Sequence, residues 1–304
     1  MTASGIASRI IGFFYRIFLA QTIGAEALGI YQLIAPVFAM CFALTASSIQ
    51  TSISKFVGDA CGKNAGTSQG EITARGYLLL GLVISCTASV IVGIFLYTQS
   101  DWIALHFLGE LRCAPLLSLL SFSMLPCCIH ACINGYYYGM QKARVPAFSQ
   151  VAEQVIRMGA VFLIASIWLE SGRQITVSLA VYGHLIGEMA SAVFTVFCLG
   201  FFPPCKDGDS RRAPAIPLSF GATAAPLMAL ALPLMGNRLI LNVLGSAEAI
   251  WIPNRLMSSG LTNSEALSVY GVLTSMALPF ILFPSAITNS MAVLLLPTVA
   301  EAQA

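Results

Sequence analysis

The chain has 304 residues, of which 57% are hydrophobic and only 9% are charged. A soluble domain usually carries about 25% charged residues, so these charges are too few to cover a surface that faces water. The net charge of +2 is also too small to indicate nucleic acid as a partner. The composition therefore predicts an integral membrane protein, and its long apolar stretches predict an all-α helical bundle.

Eight apolar stretches are long enough to be membrane spans, since about 20 apolar residues cross the hydrocarbon core. They cover residues 2–21, 28–54, 76–98, 113–138, 146–169, 176–202, 218–244 and 266–299. A stretch rich in proline and charge, PPCKDGDSRRAPAIP, predicts a cytoplasmic linker at 203–217. The predicted domains are thus a six-helix lobe at 1–202 and the first two helices of a second lobe at 218–304.

The positions of lysine and arginine predict how the chain crosses the membrane. With the loops taken alternately, one side carries eight basic residues: Lys55, Lys63, Arg75, Lys142, Arg144, Lys206, Arg211 and Arg212. The other side carries only Arg112, Arg173 and Arg255. The positive-inside rule then predicts a multi-pass protein of the cytoplasmic membrane with both termini in the cytoplasm. The first apolar run lacks a preceding basic region, so it is interpreted as a membrane helix rather than a signal peptide.

Two arginines in the first span predict an anion site. Gly5, Arg9, Gly12 and Arg16 are spaced four, three and four residues apart and therefore share one helix face. An ionisable group at bilayer depth is costly and is a candidate for a functional role. Because guanidinium groups bind phosphate oxygens in pairs, Arg9 and Arg16 are predicted to contact a pyrophosphate. The alternative is that the two side chains extend to opposite membrane interfaces.

Two further spans carry charged pairs. Glu153 and Arg157 are four residues apart in the order that favours an intrahelical pair, which predicts either an ion pair that locks the lobe or a substrate contact. His184 and Glu188 have the same spacing and could relay protons. The Gly-x-x-x-Gly motif beside them predicts close helix packing instead. Coupling to a proton gradient, a sodium gradient or the membrane potential is left open by these residues.

The last two spans resemble the first two as a faint internal repeat, a common plan in transporters, although chance similarity between apolar helices is the alternative. The repeat makes Arg238 and Asn242 the counterparts of the Arg16 region and so predicted substrate contacts. Pro36, Pro279 and Pro284 lie within spans, where proline predicts a bend that can serve gating or simply shape a structural helix.

Nine cysteines are present, most of them within apolar runs, where cysteine behaves as a small hydrophobe. Cys127, Cys128 and Cys132 lack the spacing of a structural zinc site. His130 lies among them, but core packing is favoured over a metal site. The sequence has no phosphate loop, nucleophile elbow or His-rich zinc motif, so neither an enzyme nor a cofactor is predicted.

Three segments carry a resemblance that covers nearly the whole chain: SRIIGFFYRIFLAQTIGAEALGIYQLIAPVFAM, GYYYGMQKARVPAFSQVAEQVIRM and MALPFILFPSAITNSMAVLLLPTVAEA. They resemble the polysaccharide-transporter and stage V sporulation protein B-like branch of the multidrug/oligosaccharidyl-lipid/polysaccharide exporter superfamily, which also contains MATE-type transporters and lipid II flippases.

The resemblance implies an alternating-access transporter of two six-helix lobes, often with two added helices. About eight of an expected 12–14 helices would then be present, so the chain is expected to be part of a longer transporter. The resemblance also implies a central basic cavity for a lipid pyrophosphate headgroup. Arg9 and Arg16 match a region where lipid II flippases carry cavity arginines, and Arg238 lies where the second lobe would contribute a basic residue.

Three functions remain open from the sequence. The first is a flippase for a lipid-linked oligosaccharide or a peptidoglycan precursor, with membrane lipids and a polyprenyl-pyrophosphate sugar as its only deducible partners. The second is a cation-coupled multidrug antiporter of the same fold, for which Glu153 and Glu188 are the candidate coupling groups. The third is a membrane fragment that does not transport. The basic first helix favours the anionic substrate.

Overall fold

The computed structural model describes residues 2–63, 68–202 and 220–282. Side chains are described from Ser8 onward, apart from Arg9 and a few residues that adjoin the gaps. Within these ranges the regular structure is helical throughout, with no strand. The predicted linker at 203–217 and Pro284 lie outside the described residues.

Twelve α-helices follow one another in the described ranges. The first nine are α1 (Thr2–Ile23), α2 (Ala25–Phe42), α3 (Ser48–Lys63), α4 (Ser68–Thr98), α5 (Ser100–Trp102), α6 (Ala114–Ser121), α7 (Met124–Gly139), α8 (Arg144–Glu170) and α9 (Ser178–Phe201). The last three are α10 (Phe220–Ser258), α11 (Asn263–Val272) and α12 (Leu278–Ile281). Widened helical turns occupy Ala43–Ser47, Ile103–Leu108 and Leu273–Ala277, and a tight turn occupies Leu111–Cys113.

Six helical stretches of the described chain are long and apolar enough to cross a membrane. They are Ala25–Cys61, Gly70–Thr98, Arg144–Glu170, Ser178–Phe201, Thr223–Ser258 and Asn263–Ile281. Helices α6 and α7 form a seventh if they are taken as one span bent by 51°. The remaining predicted span, 2–21, corresponds to α1, in which the apolar part Ile10–Ile23 is shorter than the others.

The outer faces of these helices are strongly apolar. On α4, for example, Val83, Ile91, Ile94 and Phe95 are each more than half exposed. Water-soluble proteins rarely present contiguous apolar surface of this kind, whereas lipid requires it. The chain is therefore a multi-pass membrane protein of the all-α class.

The bend between α6 and α7 has a local cause. Pro126 has no backbone N–H, and its ring clashes with the carbonyl four residues earlier, which belongs to Phe122. The helix accordingly ends at Ser121 and restarts at Met124. The predicted span 113–138 is thus two helices.

The seventh predicted span, 218–244, corresponds to a longer helix, since α10 continues to Ser258 and contains Pro226, Pro233 and Pro253. Helix α11 then begins at a capping box, in which the Thr262 hydroxyl accepts from the Glu265 backbone N–H and the Glu265 carboxylate accepts from the Thr262 N–H. These paired contacts satisfy N–H groups that the first helical turn leaves free.

Glycines allow α9 to pack closely against α8, as the Gly-x-x-x-Gly motif predicts. A Cβ added at Gly187 would lie 3.1 Å from Arg157 Nε and 3.4 Å from the Glu153 carbonyl oxygen. A Cβ added at Gly183 would overlap Val161. This close contact brings the charged residues of the two helices together.

Candidate functional site

A cavity of about 850 Å³ lies between α1, α2, α8 and the segment from Leu273 to Leu282. Its lining combines polar and apolar groups from all four elements: Ser8, Gly12, Phe13, Tyr15, Arg16, Leu19, Leu28, Tyr31, Gln32, Ala35, Gln150, Glu153, Gln154, Arg157, Ser275, Pro279 and Leu282. This volume is within the range of small-molecule sites, and part of the lining is polar. Such a cavity is the default candidate for a binding site.

Arg16 lines this cavity from α1. Among the described residues it forms no ion pair with a carboxylate. Gly12 lies one turn earlier, and a Cβ added there would be 4.0 Å from the Gln154 side-chain oxygen. The face predicted from the Gly-Arg spacing thus borders the cavity. The backbone of Arg9 belongs to α1, but its side chain lies outside the described residues.

The amide groups of Gln150 and Gln154 face the same space from α8, and Gln32 faces it from α2. Gln32 Nε2 donates a 2.5 Å hydrogen bond to Ser275 Oγ, which connects α2 to the C-terminal segment. Amides and hydroxyls supply neutral donors around the Arg16 guanidinium. Such an arrangement suits an oxygen-rich anionic ligand.

Glu153 and Arg157 form the predicted ion pair. Their Oε1 and Nη2 atoms are 2.5 Å apart, and the side chains are only 12% and 13% exposed. Both residues line the cavity. Arg157 thus has a carboxylate partner within its own helix.

Glu188 joins this pair to two histidines. Its Oε1 atom lies 3.5 Å from Arg157 Nη2 and 3.9 Å from His184 Nε2. Its Oε2 atom lies 3.2 Å from His130 Nδ1. The two pairs predicted separately from the sequence are therefore one buried cluster of Glu153, Arg157, His184, Glu188 and His130, here called the charged cluster.

His130 was not among the predicted site residues. The sequence pattern favours core packing for it together with its neighbouring cysteines, although it is an ionisable residue within a predicted span. That feature alone would have marked it as a candidate. Its partner on α9 is a tertiary contact that spacing along one helix does not reveal.

Cys127, His130 and Glu188 each offer a metal-ligand atom, and these atoms lie within 4.8 Å of one another. A structural zinc site has four ligands, and the described residues supply three here. The Arg157 guanidinium next to Glu188 would also repel a divalent cation. The described residues therefore do not complete a structural zinc site, and the neighbouring guanidinium disfavours a divalent cation at this position.

Arg238 and Asn242 are not among the residues that line the cavity. Arg238 Nη2 donates a 3.0 Å hydrogen bond to the Thr51 hydroxyl of α3. Asn242 Nδ2 donates a 3.1 Å bond to the Ala39 carbonyl of α2. Both residues thus hold α10 against α2 and α3.

Two of the predicted gating prolines are described. Pro36 lies inside α2, next to Ala35 of the cavity wall. Pro279 lines the cavity and follows the widened turn at Leu273–Ala277. Each proline removes a backbone N–H from its helix, and Pro279 also adjoins a widened turn of a kind often found at functional sites, so both positions remain candidates for a bend.

A second polar network lies away from the charged cluster and joins α2, the loop before α6 and α11. Arg112 donates to Glu26 at 2.7 Å and to both carboxylate oxygens of Glu110 at 2.8 and 2.9 Å. Asn263 Nδ2 donates to Glu110 at 2.9 Å. The Arg112 guanidinium lowers the pKa of Glu110 to about 2. These four residues are called the Arg112 network.

Within the described residues, six to seven helical stretches could cross a membrane and a cavity with a partly polar lining lies among the helices, which defines the class as a polytopic helical membrane protein. The chain belongs to the polysaccharide biosynthesis protein family, whose model matches residues 1–303.

Relatives of known name agree with this assignment. Over 99% of the chain, it is 29% identical to stage V sporulation protein B of Bacillus subtilis (strain 168), covering 57% of that protein. Over 64% of the chain, it is 25% identical to the lipid II flippase MurJ of the same organism, covering 37% of it. The chain thus spans roughly half the length, or less, of these two relatives.

A solved structure shows the same fold. It is an inward-facing multidrug resistance transporter of the MATE family and the MOP superfamily, with a TM-score of 0.61. At 14% identity the likeness covers 89% of this chain and 57% of the other. This likeness confirms the predicted helical-bundle fold, and the family model confirms the predicted relation to polysaccharide biosynthesis proteins.

Proposed function

We propose that the protein moves a lipid-linked oligosaccharide or peptidoglycan precursor, carried on a polyprenyl pyrophosphate, across the cytoplasmic membrane by alternating access. The observation that carries the proposal is the position of Arg16, which faces the cavity of about 850 Å³ without a carboxylate partner among the described residues. Arg9 is proposed as a second contact on the same helix face.

The charge of the cavity wall favours an anion. Of the ionisable groups that line it, Arg157 is paired with Glu153, whereas Arg16 is left uncompensated. An unbalanced guanidinium at membrane depth is costly unless a ligand or water stabilises it. A diphosphate supplies the paired oxygens that a guanidinium binds best, and the cavity amides supply further donors.

Similarity to a lipid II flippase supports a peptidoglycan precursor as the cargo. Similarity to stage V sporulation protein B supports a role in sporulation. Because the chain spans only part of these relatives, the transport cycle is proposed for a protein that includes the remainder of the second lobe. The orientation with both termini in the cytoplasm is part of the proposal and rests on the lysine and arginine distribution.

A cation-coupled antiporter is the second candidate. The charged cluster supports it, because two carboxylates and two imidazoles lie together beside the cavity. Such a protein would favour a cationic or apolar substrate, which the uncompensated Arg16 disfavours.

The test is native mass spectrometry of the detergent-purified chain with a short polyprenyl diphosphate that carries one sugar. We expect the wild type to bind the diphosphate lipid selectively over a zwitterionic phospholipid. Arg16→Ala should lose this selectivity. Arg16→Lys should keep part of it, because lysine retains the positive charge but not the planar guanidinium that binds two oxygens at once. The matched control is Arg173→Ala, which removes an exposed arginine outside the cavity.

Competition by inorganic pyrophosphate would show that the headgroup is recognised. Equal binding of the diphosphate lipid by Arg16→Ala and Arg173→Ala would overturn the proposal. Selective binding of a lipophilic cation instead would favour the antiporter. If neither ligand binds selectively, the third hypothesis, a membrane fragment that does not transport, would be favoured.

A further inference from the structure

We propose that His130 and Glu188 form a proton-binding site, and that the proton they take up strengthens anion binding at the cavity. The proton site depends only on the contacts within the charged cluster. Its effect on the anion deepens the proposed function and rests on it.

The charges of the cluster do not balance without a proton. Glu153 and Glu188 contribute two negative charges, and Arg157 contributes one positive charge. An unbalanced charge that is almost removed from water is strongly unfavourable. One proton on an imidazole makes the cluster neutral, and histidine is the side chain that most readily gains or loses a proton between about pH 5 and 8.

Geometry selects His130 as the acceptor. His184 and Arg157 both approach Oε1 of Glu188, at 3.9 and 3.5 Å, so a positive His184 would share that oxygen with a guanidinium. His130 approaches the other oxygen, Oε2, at 3.2 Å. Apart from this contact, neither His130 Nδ1 nor Glu188 Oε2 has a hydrogen-bond partner among the described residues.

The other groups that face the cluster do not replace the proton. His184 packs edge-on against Phe38 of α2, with ring centroids 4.7 Å apart. The Cys127 thiol of α7 lies within reach of Glu188. Tyr15 of α1 and Tyr31 of α2 also interact electrostatically with Arg157. These side chains are neutral in their ordinary forms. Arg16 is positive and lines the same cavity as Glu153 and Arg157, but among the described residues it forms no ion pair with a carboxylate of the cluster.

A proton fits this site better than a sodium ion. An alkali cation is held by several oxygen ligands, whereas Glu188 is surrounded mainly by nitrogen groups. The adjacent Arg157 guanidinium would also repel a metal ion. A proton requires only the imidazole nitrogen and the carboxylate already in contact with it.

Arg157 connects the proton site to the cavity. It contacts Glu153 and Glu188 and also lines the cavity. While His130 is neutral, the positive charge of Arg157 stabilises the negative charges of both Glu153 and Glu188. When His130 gains a proton, the imidazolium donates to Glu188 and balances it, which leaves more of the Arg157 charge for an anion in the cavity. Proton and anion therefore favour each other's binding, as reciprocal linkage requires.

Two substitutions should shift anion binding in opposite directions. Glu188→Gln mimics the balanced state, so binding of the sugar-carrying polyprenyl diphosphate should be tight and independent of pH. His130→Gln removes the acceptor but leaves the Glu188 charge, so binding should be weak and independent of pH. In the wild type we expect affinity to rise on acidification between about pH 8 and 5, by roughly 5- to 150-fold.

A shared folding defect cannot produce opposite shifts, so the pair of variants is its own stability control. Glu170→Gln is the matched control and should behave as the wild type, because Glu170 is an exposed residue at the end of α8. In His184→Gln the pH response itself should persist, because His184 is not the acceptor. A pH response that persists in His130→Gln but disappears in His184→Gln would overturn the assignment. A response to sodium at fixed pH, without a response to pH, would overturn the proton itself.

Infrared spectroscopy of the protein without any lipid tests the proton site separately. The imidazole bands that change between about pH 8 and 5 should lose one component in His130→Gln. If that component is lost but no variant binds the diphosphate at any pH, the proton site stands and the proposed function fails. If His130→Gln leaves the infrared titration unchanged, the proton site fails, whatever binds in the cavity.

Discussion

Gly29 of α2 and Gly271 of α11 pack directly against one another, so that a Cβ added at Gly271 would lie 2.5 Å from the Gly29 backbone nitrogen. It would lie equally close to the Ala25 carbonyl oxygen. A Cβ added at Gly29 would overlap the Leu267 carbonyl. The absence of both side chains thus lets α2 and α11 come into backbone contact.

Alanine at either glycine should weaken that contact. Overpacking of a closely packed interface costs about 1–3 kcal/mol, and here the obstacle is backbone, which cannot rotate away. We expect Gly29→Ala and Gly271→Ala to lower the free energy of unfolding by about that amount, measured by denaturation in detergent.

The matched controls are Gly159→Ala and Gly245→Ala, since an added Cβ meets nothing within 4 Å at either helical position. There alanine should be neutral or stabilise the helix by up to about 1 kcal/mol. If Gly271→Ala proves as harmless as Gly245→Ala, the two helices are not in close contact in the membrane protein.

The Arg112 network should make the free energy of unfolding depend on pH in the acidic range. The Glu110 pKa is lowered to about 2 by the Arg112 guanidinium, against about 4.3 for an ordinary glutamate. A lowered pKa in the folded state stabilises the fold above the ordinary value. That stabilisation is lost as the pH falls from about 4.3 to about 2.

Because Arg112 is 48% exposed, the network contributes only about 0.2–1 kcal/mol per ion pair. We expect Glu110→Gln to lower the melting temperature slightly at neutral pH and to reduce its acid sensitivity. Asp101→Asn, which changes an exposed carboxylate outside the network, should retain the wild-type acid profile. An identical profile for Glu110→Gln would show that the network does not stabilise the fold.

Much of this fold can be predicted because its helices are long, apolar and separated by polar loops. The predicted spans 146–169 and 176–202 nearly coincide with α8 and α9. The predicted end of span 218–244 is too early. Glu248 and Arg255 give the following segment the polar character of a loop, but the structure shows that α10 continues through it to Ser258. The break between α6 and α7 required attention to Pro126 and the carbonyl it blocks.

The site was predictable only within single helices. The face of Arg16 and the spacing of Glu153 and Arg157 follow from helical periodicity. The approach of His130 to Glu188 depends on how α7 packs against α9, which no periodicity encodes. For the same reason, the position of Arg238 against α3 could not be foreseen from its proposed repeat partner.

Removing Arg157 should destabilise the lobe strongly. Its guanidinium balances Glu153 and Glu188, and loss of one partner from a buried ion pair costs about 3–5 kcal/mol. We expect Arg157→Met to lose stability on that scale, and the double variant Arg157→Met/Glu153→Gln to recover part of it because one unbalanced carboxylate is gone. Denaturation of both variants in detergent measures the difference.

Arg144→Met is the control for that experiment, because Arg144 is exposed at the start of α8 and is absent from the charged cluster. It should change stability little. Equal losses for Arg157→Met and the double variant would mean that the unbalanced Glu153 charge is not the cause.

Arg238 allows the repeat-based prediction of a substrate contact to be tested against the contact that the structure shows. Its hydrogen bond to Thr51 is worth about 0.5–1.5 kcal/mol, so we expect Arg238→Ala and Thr51→Ala to lower stability alike. Since Arg238 does not line the cavity, both variants should bind the polyprenyl diphosphate as the wild type does. Asn242→Ala, which frees the Ala39 carbonyl, should behave similarly. Loss of lipid binding in Arg238→Ala but not in Thr51→Ala would instead place Arg238 in the substrate path, because both changes remove the hydrogen bond but only the first removes the guanidinium.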